Sequence, residues 1–179
     1  MSLVLSAEEE SLRDSVRRFV ADRSPIGAIR KLIDSGQPYD DAVWQQLAGQ
    51  LGLASLLIPE EYGGSGAGHS AMAVALQELG AGLVPSPLLA SGVLAAGALL
   101  RLDDEQARRE LLPGIASGDL VVTLASTGAD GGAARPAVSA AGTGEAARLT
   151  GELAPVLNGA QAKKYLERES NALVRYRCA

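Results

Sequence analysis

The chain has 179 residues, 47% of them hydrophobic and only 3% aromatic, with a formal net charge of −5. That composition supports a core of Ala, Leu and Val in one domain or one and a fraction. An acidic chain without a basic stripe argues against nucleic acid, where affinity rests on neutralising phosphates. The single cysteine, Cys178, rules out an internal disulfide and a cysteine-based zinc site, and it fits a reducing, cytoplasmic setting.

No secretory signal is expected at the start, because residues 6–18 are heavily charged. From Leu79 to Leu100 there is no charge, but Pro85 and Pro87 interrupt the run. The residues left, 88–100, span roughly 20 Å as a helix, short of the ~30 Å of a hydrocarbon core. No membrane partner is expected, and 88–100 reads as a helix buried in protein.

Residues 6–23 read as the first helix. Ser6 with Glu9 three positions on is a capping box, and Leu12, Val16, Phe19 and Val20 follow at helical spacing. Pro25 and Gly27 break the run before a short helix around 26–33. Asp40 caps another, with Val43, Trp44, Leu47 and Leu51 on one face and Gly52 as its stop. Met72, Leu76, Leu79 and Leu83 form the next stripe, which reads as core packing. After the apolar helix 88–100, Asp103 is expected to cap a helix carrying Leu111 and Leu112, with Pro113 near its end. Helices joined this closely must pack on one another.

The period changes after Gly118. "DLVVTLAS" (119–126) is short, β-branched and apolar, like a buried strand, and "ARPAVSA" (134–140) and "ARLTGELAPV" (147–156) read as further strands. So few strands leave an open edge. The expected organisation is a helical domain over 1–117, the start of a β domain over 118–162, and a stretch of different composition over 163–179. That last stretch, "KKYLERESNALVRYRCA", reads either as a non-native tail or as a basic helix.

Few residues carry chemistry by themselves. His69 is the single histidine and reads as a polar residue opening a helix. Glu60 and Glu61 read as solvated charge beside a turn, since adjacent carboxylates rarely converge on one substrate. No metal site is expected. "YGGSGAGHS" (62–70) lacks both the dinucleotide pattern and the Lys-Ser/Thr of a phosphate loop, and reads as a turn. "STGADGGA" (126–133) follows a strand and reads either as an approach to phosphate or flavin or as an ordinary turn.

The longer string "LGLASLLIPEEYGGSGAG" (51–68) resembles the hallmark of the acyl-CoA dehydrogenase N-terminal domain. "ALQELG" (75–80) and "LLPGIASGDLVVTLAST" (111–127) follow in that family's order, so the resemblance covers about residues 7–162. It implies a mainly α fold: a helical-bundle domain followed by an incomplete β domain. It implies α,β-dehydrogenation of an acyl-CoA thioester, with a carboxylate taking the α-proton and FAD the hydride. The partners implied are the acyl-CoA substrate, other dehydrogenase subunits and an electron-transferring flavoprotein.

In that family the catalytic carboxylate belongs to a later helical domain, so no catalytic residue is expected here and the isolated chain is expected to be inactive. The cofactor positions that carry over are Leu124, Ser126 and Thr127, with Gly131 and Gly132 in the following turn. Gly128 replaces the family's glutamate. Pro155-Val156-Leu157-Asn158-Gly159 replaces its Trp-Ile-Thr-Asn-Gly strand, so the aromatic wall and the threonine hydroxyl of the flavin site are missing. Two further functions stay open: a flavin-deficient partner subunit in a heteromeric dehydrogenase, and a helical interaction module without chemistry.

Overall fold

A computed structural model describes residues 4–125, 138–141, 148–151, 156–169 and 172–177. The first helix, α1 (Ala7–Arg23), starts at Ser6. The Ser6 hydroxyl accepts the Glu9 N–H at 3.2 Å, and the Glu9 carboxylate accepts the Ser6 N–H at 2.8 Å. Two N–H groups that a helix start otherwise leaves unpaired are thus satisfied. α2 (Ile26–Asp34) follows, then α3 (Asp41–Gln45), capped by Asp40 and running on into a π turn at Gln46–Gln50.

α4 (Gly68–Ala81) lies beside α1 and runs in the same direction. Arg17 meets Glu78 further along the pair than Glu9 meets Ser70. Leu88–Ala95 is a π-helical stretch that continues as α5 (Ala96–Arg101), so the helix expected at 88–100 is present with its first half wound wide. α6 (Glu105–Ser117) contains Pro113 in its interior rather than near its end. Its cap is Asp104, whose carboxylate accepts the Ala107 N–H at 2.8 Å, one residue later than the expected Asp103. Helix α6 stops at Gly118 in the left-handed conformation (φ 83°), where an added Cβ would stand 2.3 Å from the Ala48 Cβ.

Two apolar clusters hold the helices together. One gathers Val16, Trp44, Leu47, Leu53, Met72, Leu79 and Leu88; the other gathers Ile58, Tyr62, Leu99, Leu111, Leu112, Ile115 and Val122. The first strand, β1 (Val122–Ala125), joins the second cluster. β2 (Val138–Ala141) and β3 (Arg148–Gly151) pair antiparallel.

β4 (Lys164–Glu169) runs parallel to β1, with Val122 opposite Lys164, and β5 (Ala172–Arg177) runs antiparallel to β4. Lys164–Glu169 and Ala172–Arg177 are therefore strands and not the basic helix that the sequence left open. The sheet order is β1-β4-β5, so among the described residues β1 has a strand on one side only. The fold is the expected one: mainly α, a helical bundle followed by a small, open β portion.

Candidate functional site

The glycine-rich loop carries no anion cradle. The Gly64 N–H goes to the Pro59 carbonyl (3.1 Å), Ser65 to Ser55 (3.1 Å), Gly66 to Ile58 (2.9 Å) and Gly68 to Leu56 (3.0 Å). These four donors are spent on the chain's own backbone and are not available to a phosphate. Gly64 is there because its backbone crosses Ile58: an added Cβ would lie 1.8 Å from the Ile58 oxygen. Tyr62 buries its ring in the second cluster and donates its hydroxyl to Glu105 at 2.8 Å, tying the loop to the start of α6. Glu60, Glu61 and His69 are exposed, as the sequence suggested.

A groove of about 550 Å³ opens between the start of α1, the loop 51–56 and the start of α4. Leu12, Leu51, Leu56 and Ala71 line it, and Ser6, Glu8, Glu9, Ser55 and Ser65 contribute polar groups. The Glu8 carboxyl is held below its usual range by its own backbone N–H and by Ser6; that of Glu9 by Ser70 and by the Ser6 N–H. These carboxylates are helix caps already engaged, and a lowered pKa makes them poor proton acceptors. Among the described residues no three His, Cys, Asp or Glu side chains are grouped to hold a metal, and no helix is long and apolar enough to cross a membrane.

The helix-to-strand junction leads into β1, which carries Leu124, the one expected cofactor residue among the described residues. Trp44 Nε1 and Gln45 Nε2 both donate to the Gly118 carbonyl, at 3.0 and 3.3 Å. Beyond it, the buried hydroxyl of Ser91 accepts the Val122 N–H at 3.1 Å, on the edge of β1 that has no neighbouring strand among the described residues. Lys163 closes the other edge: its N–H goes to the Val121 carbonyl and its Nζ to the Asp119 carbonyl. Sequence reasoning passed over Ser91 and Thr123. The available signal was a lone hydroxyl in an apolar helix and another in an apolar strand.

Of the five residues expected to touch a flavin, Leu124 sits in β1, half-buried against α5 and α6 and opposite Leu166 of β4. Ser126, Thr127, Gly131 and Gly132 lie outside the described residues. The segment Val156–Gln161 turns instead of forming the expected strand, with Asn158 at φ 52°. Thr123 is fully buried and donates its hydroxyl to the Leu157 carbonyl at 2.6 Å, while the Leu157 side chain is exposed. Thr123, which is not one of the expected flavin positions, spends its hydroxyl inside the fold, and position 157 presents an alkyl chain where the resemblance implies a hydroxyl.

A model of the family described as "Acyl-CoA dehydrogenase, N-terminal domain" matches residues 6–119. The chain is 44% identical over 117 residues to acyl-CoA dehydrogenase IpdE2 of Mycobacterium tuberculosis, covering 64% of this chain and 36% of that protein. It is 36% identical over 148 residues to acyl-CoA dehydrogenase FadE27 of the same organism, covering 81% of this chain and 39% of that protein. The chain thus spans well under half the length of these curated relatives.

Among solved structures, the ChsE4-ChsE5 complex from Mycobacterium tuberculosis superposes with a TM-score of 0.84 at 30% identity, over 99% of this chain and 49% of that one. A variant of the Tcur3481-Tcur3483 steroid ACAD gives 0.83 at 29% identity, over 95% and 48%.

Proposed function

The chain belongs to the acyl-CoA dehydrogenase family, and from that premise we propose that it works as an acyl-CoA dehydrogenase subunit beside an unlike second subunit. The reaction proposed for the assembly is α,β-dehydrogenation of an acyl-CoA thioester, with FAD as hydride acceptor and an electron-transferring flavoprotein as the next acceptor. One observation supports the two-subunit reading: position 157 carries an exposed leucine where the resemblance implies a threonine hydroxyl for the flavin. No step is assigned through flavin held by the described residues. The likeness to two solved dehydrogenases, each named as a pair of chains, supports an unlike partner.

What the described residues do is structural in that reading. The two clusters fix α5 and α6 against β1, and Trp44 and Ser91 fix where β1 leaves the bundle. No described carboxylate is assigned as the base. Glu78 is paired with Arg17, Glu105 with Tyr62, Arg108 and Arg109, and Glu8 and Glu9 cap α1.

The test is to purify the full chain alone and with a cognate acyl-CoA dehydrogenase subunit, then to measure flavin absorbance and acceptor-dependent turnover over a panel of acyl-CoA thioesters. The expected result is colourless, inactive protein alone, with flavin and turnover in the mixture. Turnover by this chain alone, with its own bound FAD, overturns the two-subunit reading. Absence of flavin, acyl-CoA binding and turnover in every combination leaves an interaction module.

A further inference from the structure

The segment Leu88–Ala95 buries one residue that an α-helix would leave outside. Its sequence carries an α stripe of Leu88, Ser91, Gly92, Ala95, Ala96 and Leu99, and these are buried. Ala90 is buried as well, at 1% exposure, while Leu89 and Leu94 are 45% and 37% exposed. With α steps of ~100° counted from Leu88, Leu89 falls at ~100°, Val93 at ~140°, Ala90 at ~200° and Leu94 at ~240°. An α-helix would therefore place Ala90 outside, between Val93 and Leu94. The observed winding is wider: the Ala96 N–H reaches back five residues to the Ser91 carbonyl. Residues five apart then share a side, so Leu89 and Leu94 form one exposed apolar strip with half-buried Val93, and Ala90 turns inward.

The widened segment is wedged between two walls. On one side Gly92 faces Ala54, where an added Cβ would make ordinary contact at 3.6 Å from the Ala54 Cα. On the other lies β1, and Ser91 is the polar link to it. The Ser91 hydroxyl accepts the Val122 N–H at 3.1 Å and donates to the Leu120 carbonyl at 3.5 Å. It takes the place of a neighbouring strand on that edge of β1. The same residue supplies the backbone carbonyl of the five-residue hydrogen bond.

We propose that Ser91 is a conformational latch: docked on Leu120 and Val122, it holds Leu88–Ala95 in the π form, and its release lets the segment rewind to an α-helix. Rewinding brings Ala90 to the surface and splits the Leu89–Leu94 strip. Seating of the first β strand thereby controls which apolar surface the helical bundle presents.

The test uses the full chain in a Cys178→Ser background carrying Ala90→Cys, with maleimide labelling of Cys at position 90 and amide exchange at Val122 as readouts. With Ser91 in place, labelling is slow and the Val122 amide protected. In Ser91→Ala both rates rise at least tenfold, and in Ser91→Thr, which keeps the hydroxyl, both stay low. Ser91→Val, isosteric with Ser91→Thr but without the hydroxyl and without a second thiol, replaces Ser91→Ala if the latter loses its helical circular dichroism. Faster Val122 exchange with unchanged labelling would show that the bond exists but does not set the winding, and that overturns the proposal. Unchanged exchange overturns it too.

Discussion

Trp44 Nε1 donates to the Gly118 carbonyl at 3.0 Å across 74 positions of chain. The indole is almost fully buried in the first cluster, and its one polar atom reaches the residue that ends α6. A buried indole N–H without an acceptor is costly, so this bond fixes α3 relative to the point where the helical part passes into β1.

Trp44→Phe keeps most of the apolar contact and removes the donor. Gln45 Nε2 still reaches the same carbonyl at 3.3 Å, so the oxygen is not orphaned. The expected loss is about 1–2 kcal/mol of unfolding free energy, read from urea midpoints at constant slope. A loss below a few tenths would mean that Gln45 alone holds the junction.

The Arg17–Glu78 pair predicts a pH dependence. Arg17 Nε and a terminal nitrogen reach the two Glu78 oxygens at 2.9 and 2.8 Å; the Glu78 side chain is buried and that of Arg17 mostly exposed. The Arg17 hydrogen bonds hold the Glu78 carboxyl below its usual value of 4.5. A carboxyl whose pKa is lower folded than unfolded adds stability above the unfolded value and loses it as pH falls through the folded one. The pair's contribution is therefore whole above about pH 4.5 and drains below it. Arg17→Ala leaves a buried carboxylate without its cation, which favours the protonated form. Denaturation midpoints of that variant should fall less steeply on acidification than those of the parent chain, because Glu8 and Glu9 still lose their contribution in both. Parallel curves would remove Glu78 as the linked group.

Gly63 and Gly64 separate two reasons for glycine in one loop. Gly63 has φ 80° and open space where a Cβ would point. Gly63→Ala should cost about 1 kcal/mol, from backbone conformation alone. Gly64→Ala drives a methyl into the Ile58 carbonyl and should cost more than about 2 kcal/mol. Thermal melts of the two variants side by side test the order; a larger loss at Gly63 would contradict the close crossing at Ile58.

Local signals carried well from sequence to structure, and long-range ones did not. The Ser6–Glu9 cap needs only residues three apart, and it forms where the sequence places it. Asp103 and Asp104 are equally good caps on paper; the geometry of α6 uses the one whose carboxylate reaches the third helical N–H. Leu88–Ala95 packs against Ala54 and Val122, both remote in sequence, so its π winding has no local signal. Lys164–Glu169 and Ala172–Arg177 form strands because Lys164 pairs with Val122, a partner no local window contains. Ser126, Thr127, Gly131 and Gly132 came from family resemblance alone. The loss of the family's threonine at Leu157 was legible from the sequence alone, and the side chain there is exposed.

Leu83 offers a stabilising change. It follows α4 with φ 55°, and its N–H goes to the Gly80 carbonyl while the Val84 N–H goes to Leu79. That hydrogen-bond pair is the Schellman ending, whose left-handed position favours glycine because a Cβ crowds the carbonyl there. Leu83 is also 65% exposed, so truncation removes little buried area. Leu83→Gly relieves a strained backbone and gives the unfolded chain more freedom, and the relief of strain outweighs the added entropy. The expected gain is about 0.5–1 kcal/mol, with Leu83→Asn giving a smaller gain by the same route. Both are read from urea midpoints. A loss in Leu83→Gly would mean that the Leu83 side chain, despite its exposure, contributes packing worth more than the backbone strain it carries.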